Sequence, residues 1–341
     1  MADEAGLNAM PAYIALSSSA KARSFSFLVA LSLSAATLCH AQDYPQRIVK
    51  LVVPYAPGGG IDILARVVAD GFTRRWKQPM IVENRPGASS LIGTEAVVRA
   101  PPDGLTLLFA ADSPITGNPH LFKTMPFDPI KDLVPIVQLV KTNTFVVVNP
   151  AVGVSTLREL VALAKQKPNE LTYSSYGAGT PPHLLFEAMR TETGSQIRHI
   201  PYKGAIAANT ATVTGEVQMS VLGASSLPLI RAGKLKVLAA CSPSRVQALL
   251  DVVTCAEAGF ARIDPSGWAG LFAPVGTPAA IISKINADAV EMLNNPDFVA
   301  RGYDRDAFSK VGSTPADFAR FIREDFEDKG RLIRNAGIVP E

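Results

Sequence analysis

The chain has 341 residues, 48% of them apolar and 18% charged, with a formal net charge of +3. It is too apolar to be disordered and long enough for one large domain or two medium ones. Lys and Arg total 33 against 30 Asp and Glu. That near balance, with no basic run, argues against nucleic acid as a partner.

The first feature in chain order is a targeting segment. Lys21 and Arg23 precede the apolar stretch SFSFLVALSLSAATLCHA, and Cys39 and Ala41 are the small residues of a cleavage site after Ala41. The apolar core is shorter than the roughly 20 residues that span a bilayer. The competing reading is a membrane anchor. A lipoprotein signal fits less well, because Leu38 stands before Cys39 where a small residue is wanted. Met10 is a second candidate start. The expected product is exported, with residues 1–41 removed. Cys241 and Cys255 then remain, either as a disulfide or as two small buried hydrophobes.

RIVKLVVPY predicts a strand that runs into Gly58, Gly59 and Gly60. A helix follows, with Ile61, Leu64, Ala65, Val68 and Phe72 at helical spacing. MIVENR and LTLLFA are further strands, separated by a helix around Gly93 to Arg99. This βαβαβ order predicts a mostly parallel sheet covered by helices. PIVQLVKTNTFVVVNP continues as extended chain. Thr156 with Glu159 forms a capping box for the next helix, which Lys165, Lys167 and Pro168 end. LTYSSYG, IRHIPYK, VQMSVL and KLKVLAACS then alternate with helices as a second α/β unit. After the strand GWAGLFAP, Thr277-Pro278 and Thr314-Pro315 each place a hydroxyl before a proline that opens a helix.

Two such units predict two lobes with a cleft between them, and ligands of open α/β sheets sit beyond the carboxyl ends of strands. Both glycine-rich turns, APGGGID and SYGAGTPPHL, fall there. A dinucleotide fingerprint fails at Ile63, and no Gly-Lys-Ser/Thr triplet makes a phosphate loop. Glycine backbone N–H groups ahead of a helix start still favour a small anion. The bland alternative is a tight turn that holds nothing. Asp62 suits either the site or a cap and helix pair with Arg66. In the second turn Gly177, Gly179 and Thr180 precede Pro181, Pro182 and His183, with Thr180 as the expected N-cap. Tyr202, Lys203 and Gly204 end a strand and offer more backbone donors. His120, His183 and His199 lack zinc-site spacing, and a lone histidine at a helix start, as His183 is, is more often structural. No G-x-S-x-G elbow occurs, and Ser174, Ser175 and Ser225 show no evident catalytic partners.

Taken together, VPYAPGGGIDILAR, VENRPGASSLIGTEAV, PDGLTLLFA, FDPIKDLVPI, HIPYKG, RAGKLKVLA and GSTPADFARFI resemble the Bug family, the TctC-type periplasmic receptors of tripartite tricarboxylate transport systems. The elements span nearly all of the mature chain in the family's order. The resemblance implies a two-lobed, flytrap-like α/β fold with two crossing connections, placed near residues 143 and 265. Lobe 1 would be 42–143 plus 265–341, and lobe 2 144–264. It implies a receptor for small organic mono- or dicarboxylates, with no cofactor, no metal and no turnover. Expected partners are membrane permease subunits or a sensor protein, and a monomer is expected. A sensing module and an exported enzyme acting on organic acids are the alternatives. Carried onto this chain, the ligand residues are Tyr55, Pro57, Gly58, Gly59, Gly60, Asp62 and Ser113 from lobe 1. Lobe 2 supplies Gly179, Thr180, His183, Tyr202, Lys203 and Gly204. Two departures stand out. Leu222-Gly223-Ala224-Ser225 lacks the acid that relatives often carry there, which predicts that amino acids are disfavoured. The paired prolines 181 and 182 predict a stiffer second turn.

Overall fold

Two separate sheets organise the chain. The computed structural model describes residues 44–177, 179–202, 205–261, 267–300 and 308–340, and all elements below lie in the unit 45–341. The targeting segment 1–41, Lys203, Gly204 and the crossing expected near 265 lie outside the described residues.

The elements run β1 (Val49–Val53), α1 (Gly60–Trp76), β2 (Met80–Asn84), α2 (Leu91–Val98), β3 (Thr106–Ala111), β4 (Leu133–Thr142) and β5 (Thr144–Val148). Then come α3 (Leu157–Gln166), β6 (Thr172–Ser175), α4 (Pro181–Thr193), β7 (Arg198–Pro201), α5 (Ala205–Thr214) and β8 (Met219–Gly223). Last are α6 (Leu227–Arg231), β9 (Lys236–Cys241), β10 (Trp268–Pro274), α7 (Ala279–Asn294), β11 (Phe308–Lys310) and α8 (Pro315–Asn335). The first sheet has the order β11-β4-β10-β3-β1-β2, the second β7-β6-β8-β5-β9. Among the described residues, no helix is long and apolar enough to cross a membrane.

The expectation of mostly parallel sheets needs correction. β1 pairs parallel with β2 and β3, as the βαβαβ order requires, and β6 pairs parallel with β7 and β8. The other pairings are antiparallel. β10 slots between β3 and β4 and runs against both, and β5 runs against β8 and β9. The cause is the change of sheet: β4 ends at Thr142 in the first, and β5 starts at Thr144 in the second. β10 brings the chain back.

Each sheet has its own core. In β5, Val146 and Val148 face one apolar cluster and Phe145 and Val147 face another. A strand covered on both sides must be apolar at successive positions, which is why TFVVV does not alternate. Cys241 and Cys255 are buried in one of these clusters and pack there as small hydrophobes. Thr156 and Thr314 cap α3 and α8 by accepting from Glu159 N and Asp317 N. Thr277 does not cap α7. Its hydroxyl donates to the Pro274 carbonyl at 2.8 Å, because the chain turns tightly off β10.

A charged network pins α8 to the first sheet. Lys329 pairs with Asp112, just after β3, and with Asp325 at 3.0 Å. Trp268 Nε1 and Thr116 Oγ1 donate to Asp325 at 2.8 and 2.6 Å. Burial alone would lower the Lys329 pKa, but the two carboxylates hold it above its ordinary value. A half-paired buried charge is costly. Lys329→Ala is expected to lower unfolding free energy by about 3–5 kcal/mol, read from urea denaturation. A loss below about 1 kcal/mol would show the network to be a solvated surface pair.

Candidate functional site

The two glycine turns face one cleft of about 1850 Å³, lined by residues of both sheets. From the first sheet's side come Gly58, Gly60, Ser89, Ser90, Asp112 and Ser113; from the second, Tyr176, Gly177, Gly179 and Thr180.

The first turn is shaped from behind by Asp62, which is 2% exposed. Its Oδ2 accepts from Gly58 N at 2.8 Å and Arg66 Nε at 3.0 Å. Its Oδ1 accepts from an Arg66 terminal nitrogen at 3.0 Å and Asn84 Nδ2 at 2.8 Å. A carboxylate has about four acceptor sites, and all are used. Burial by itself would raise the Asp62 pKa, but bonds from Arg66, Gly58 and Asn84 hold it below its ordinary value. Asp62 thus behaves as the helix pair with Arg66 and is absent from the cleft lining. Gly58 has φ +87°, a conformation that L side chains rarely adopt. A Cβ at Gly60 would meet only the edge of Phe308, at 3.9 Å, so a side chain there would take up cleft space. Pro57 and Gly59 are exposed and do not line the cleft.

Tyr55 braces this turn from beneath. Its hydroxyl accepts from Ala111 N at 3.1 Å and sits with the Ser113 and Ser90 hydroxyls. Burial and the Asp112 charge push the phenol far up, so it stays neutral. Beside it, Ala88, Ser89 and Ser90 carry φ values of 44°, 51° and 75°. Three consecutive non-glycine residues in this region store strain. Asn118 Nδ2 and Thr94 Oγ1 hold the segment by donating to the Ser89 and Ser90 carbonyls, at 2.7 and 2.8 Å. Sequence reasoning missed these two serines, since the signal is in the backbone and RPGASSLIG reads as an ordinary loop.

The second turn is braced by side chains beneath it. Gly179 N donates to His183 Nδ1 at 3.1 Å, which makes His183 the tautomer protonated at Nε2. His183 stacks on His199 at 4.2 Å, and His199 stacks on Tyr173 at 4.9 Å. Ser175 Oγ lies 2.5 Å from His199 Nε2 and also bonds Gly177 N and O. Ser175 is fully buried, so this serine–histidine pair holds the turn. Thr180 does not cap α4 with its hydroxyl, which donates to the Gly177 carbonyl at 2.7 Å to close the turn. Tyr202 N donates to Ser175 O and its hydroxyl to Glu216, both at 2.8 Å and away from the cleft lining. Gly179 has φ +70°, and an added Cβ would lie 2.4 Å from Leu121 Cδ1, on the first-sheet side. The two sides of the cleft meet there.

Of the residues expected from the sequence, Gly58, Gly60, Ser113, Gly179 and Thr180 line the cleft together. Tyr55, Asp62, His183 and Tyr202 stand behind the turns. Six carboxylate side chains line the cleft against three basic ones among the described residues. The lining therefore supplies no net positive charge for an anion.

The comparisons with known proteins agree with this architecture. Residues 64–338 match the model of the tripartite tricarboxylate transporter family receptor, TctC. A UPF0065 protein of Bordetella pertussis is 33% identical over 310 residues, 91% of this chain and 95% of that protein. Protein BugT of the same organism is 33% identical over 304 residues, 87% of this chain and 91% of that protein. Among solved structures, one described as a periplasmic transporter aligns with a TM-score of 0.75 at 36% identity, covering 86% and 99% of the two chains. R. palustris Rpa4515 with adipate aligns at 0.77 and 29% identity, covering 87% and 100%. MatC from Rhodopseudomonas palustris with bound malate aligns at 0.70 and 26%, covering 85% and 100%.

The stacked imidazoles give a pH signature. Burial, then the neighbouring His183, pushes His199 down from 6.5 to about 4, and burial lowers His183 as well. Between pH 6.5 and about 4 the unfolded chain takes up protons that the folded chain refuses. Stability is therefore whole above pH 6.5 and falls as pH drops through that window. Urea midpoints at about pH 7.5, 6 and 5 should decline, and His199→Gln should flatten the decline. An unchanged slope in the variant would contradict the assignment.

Proposed function

The chain belongs to the tripartite tricarboxylate transporter receptor family, and we propose that its cleft captures a small organic carboxylate for hand-over to the membrane permease subunits of such a transporter. It is a solute-binding receptor with a two-lobed α/β fold. The observation that carries the ligand class is the pairing of two glycine turns, each ahead of a helix, across one cleft. Helix starts present unpaired N–H donors and a partial positive end. The first turn of α1 offers such donors; α4 opens with Pro181 and Pro182, which have no N–H, so its side of the cleft contributes its positive end and the N–H of Thr180.

In this reading Gly58, Gly60, Ser113, Gly179 and Thr180 contact the ligand. Asp62, Tyr55 and His183 set the turns, and Tyr202 anchors β7 beside them. The lobes are 42–143 with 265–341, and 144–264, closing by a hinge at the connections between them. The mature protein begins after Ala41, acts in the periplasm as a monomer, and performs no turnover. The bound adipate and malate of two structural relatives support a mono- or dicarboxylate as the ligand class.

A thermal-shift panel tests the ligand class. A ligand at about 100 times its Kd adds ~2.7 kcal/mol to stability. Carboxylates are expected to raise the midpoint, with nucleotides and free amino acids silent. Stabilisation by nucleotides, or depletion of the added acid during incubation, would contradict the receptor reading. Gly179→Ala adds backbone strain and a clash with Leu121, so it should weaken carboxylate binding by at least about tenfold, some ~1.4 kcal/mol, in calorimetric titration.

A further inference from the structure

The second-lobe wall of the cleft carries two oxygens without hydrogen-bond partners. Thr144 Oγ1 and Asn209 Oδ1 are both buried and unpaired, and both residues line the cleft. Thr144 opens β5 opposite Gly223 of β8, and Asn209 lies in the middle of α5, which packs on β6 and β8. Three other polar side chains on this wall have partners. Thr180 donates to Gly177, Glu187 is taken by Tyr173 and Arg190, and Thr191 donates to the Glu187 carbonyl.

A buried oxygen with no partner is costly, and a ligand group that supplies the missing bond recovers that cost. Open space lies opposite Thr144, at Gly223. A Cβ built at Gly223 would meet nothing within 4 Å, and Leu222 and Ala224 beside it are apolar. The chemistry of the missing group follows from the wall. Asn209 Oδ1 accepts, and the Thr144 hydroxyl both donates and accepts. No lysine or arginine stands among the described cleft residues between 144 and 261, so a second carboxylate would find no counter-charge there. Leu222 to Ala224 offers no acid for an ammonium group.

We infer that Thr144 and Asn209 form a specificity subsite for a neutral hydrogen-bonding group, a hydroxyl or primary amide, on the ligand end away from its carboxylate. This subsite rests on the carboxylate reading above. It narrows the ligand to a hydroxy acid or an acid amide and ranks such acids above plain dicarboxylates.

Calorimetric titration tests it, on protein unfolded and refolded to strip any carried ligand. The probes are butanoate, 4-hydroxybutanoate, succinate and 4-aminobutanoate, with their six-carbon counterparts. The hydroxy acids should bind at least about tenfold tighter than the plain acids, because a site built to bond a hydroxyl penalises the analogue that lacks it. Thr144→Val and Asn209→Leu should each abolish that preference and leave plain-acid affinity within about twofold. The ligand-free melting temperature of Thr144→Val should hold or rise, since the substitution removes an unpaired oxygen. Equal binding of plain and hydroxy acids, tightest binding of the dicarboxylates, or a preference that survives both substitutions would overturn the subsite alone. Absence of binding by every acid would overturn the subsite and the carboxylate reading together.

Discussion

Asn143 is the point on which the architecture turns. It is a single buried residue between the last position of β4 in one sheet and the first position of β5 in the other. Its Oδ1 accepts from Ser309 of β11 at 2.8 Å, so the hand-over is tied to the first sheet's edge. With one residue between them, the sheets stay close yet keep separate cores, and a cleft is left where their strand ends face each other. The network of Asp112, Lys329 and Asp325 fixes the end of β3 on one side of that cleft. The stack of Tyr173, His199 and His183 fixes the turn on the other.

On the proposed carboxylate reading, the anion enters a cleft with little positive charge. The lining carries more acids than bases, so attraction comes over short range, from donors not already spent on Asp62 and His183. Such donors need no desolvated lysine or arginine and suit capture that must later be reversed. The side chains that look chemical in the sequence mostly hold the backbone in place. Asp62 spends both oxygens on its own loop, and His183 spends Nδ1 on Gly179. Ser175 and His199, the one pairing that resembles a catalytic dyad among the described residues, are a brace beneath the second turn.

Local features were legible in the sequence where chemistry is local. The strands, the caps at Thr156 and Thr314, and the glycine turns follow from periodicity and hydroxyl spacing over a few residues. Features set by tertiary contacts were not. Nothing near Trp268 says that β10 will run against β3 and β4. Thr180 and Thr277 look like caps, but each turns its hydroxyl back to the carbonyl three residues before it, a local competition that residue identity does not decide. Ser89 and Ser90 enter the cleft through a left-handed backbone that residue identity does not favour. Thr144 and Asn209 are ordinary in a strand and a helix, and only their missing partners mark them.

The most direct test of the central claim is amide NMR on the stripped protein, titrated with a carboxylate that stabilises it. The N–H signals of Gly58, Gly60, Gly179 and Thr180 should move together and saturate with one dissociation constant. Shifts confined to one turn, or absent from both while binding is saturated, would contradict it.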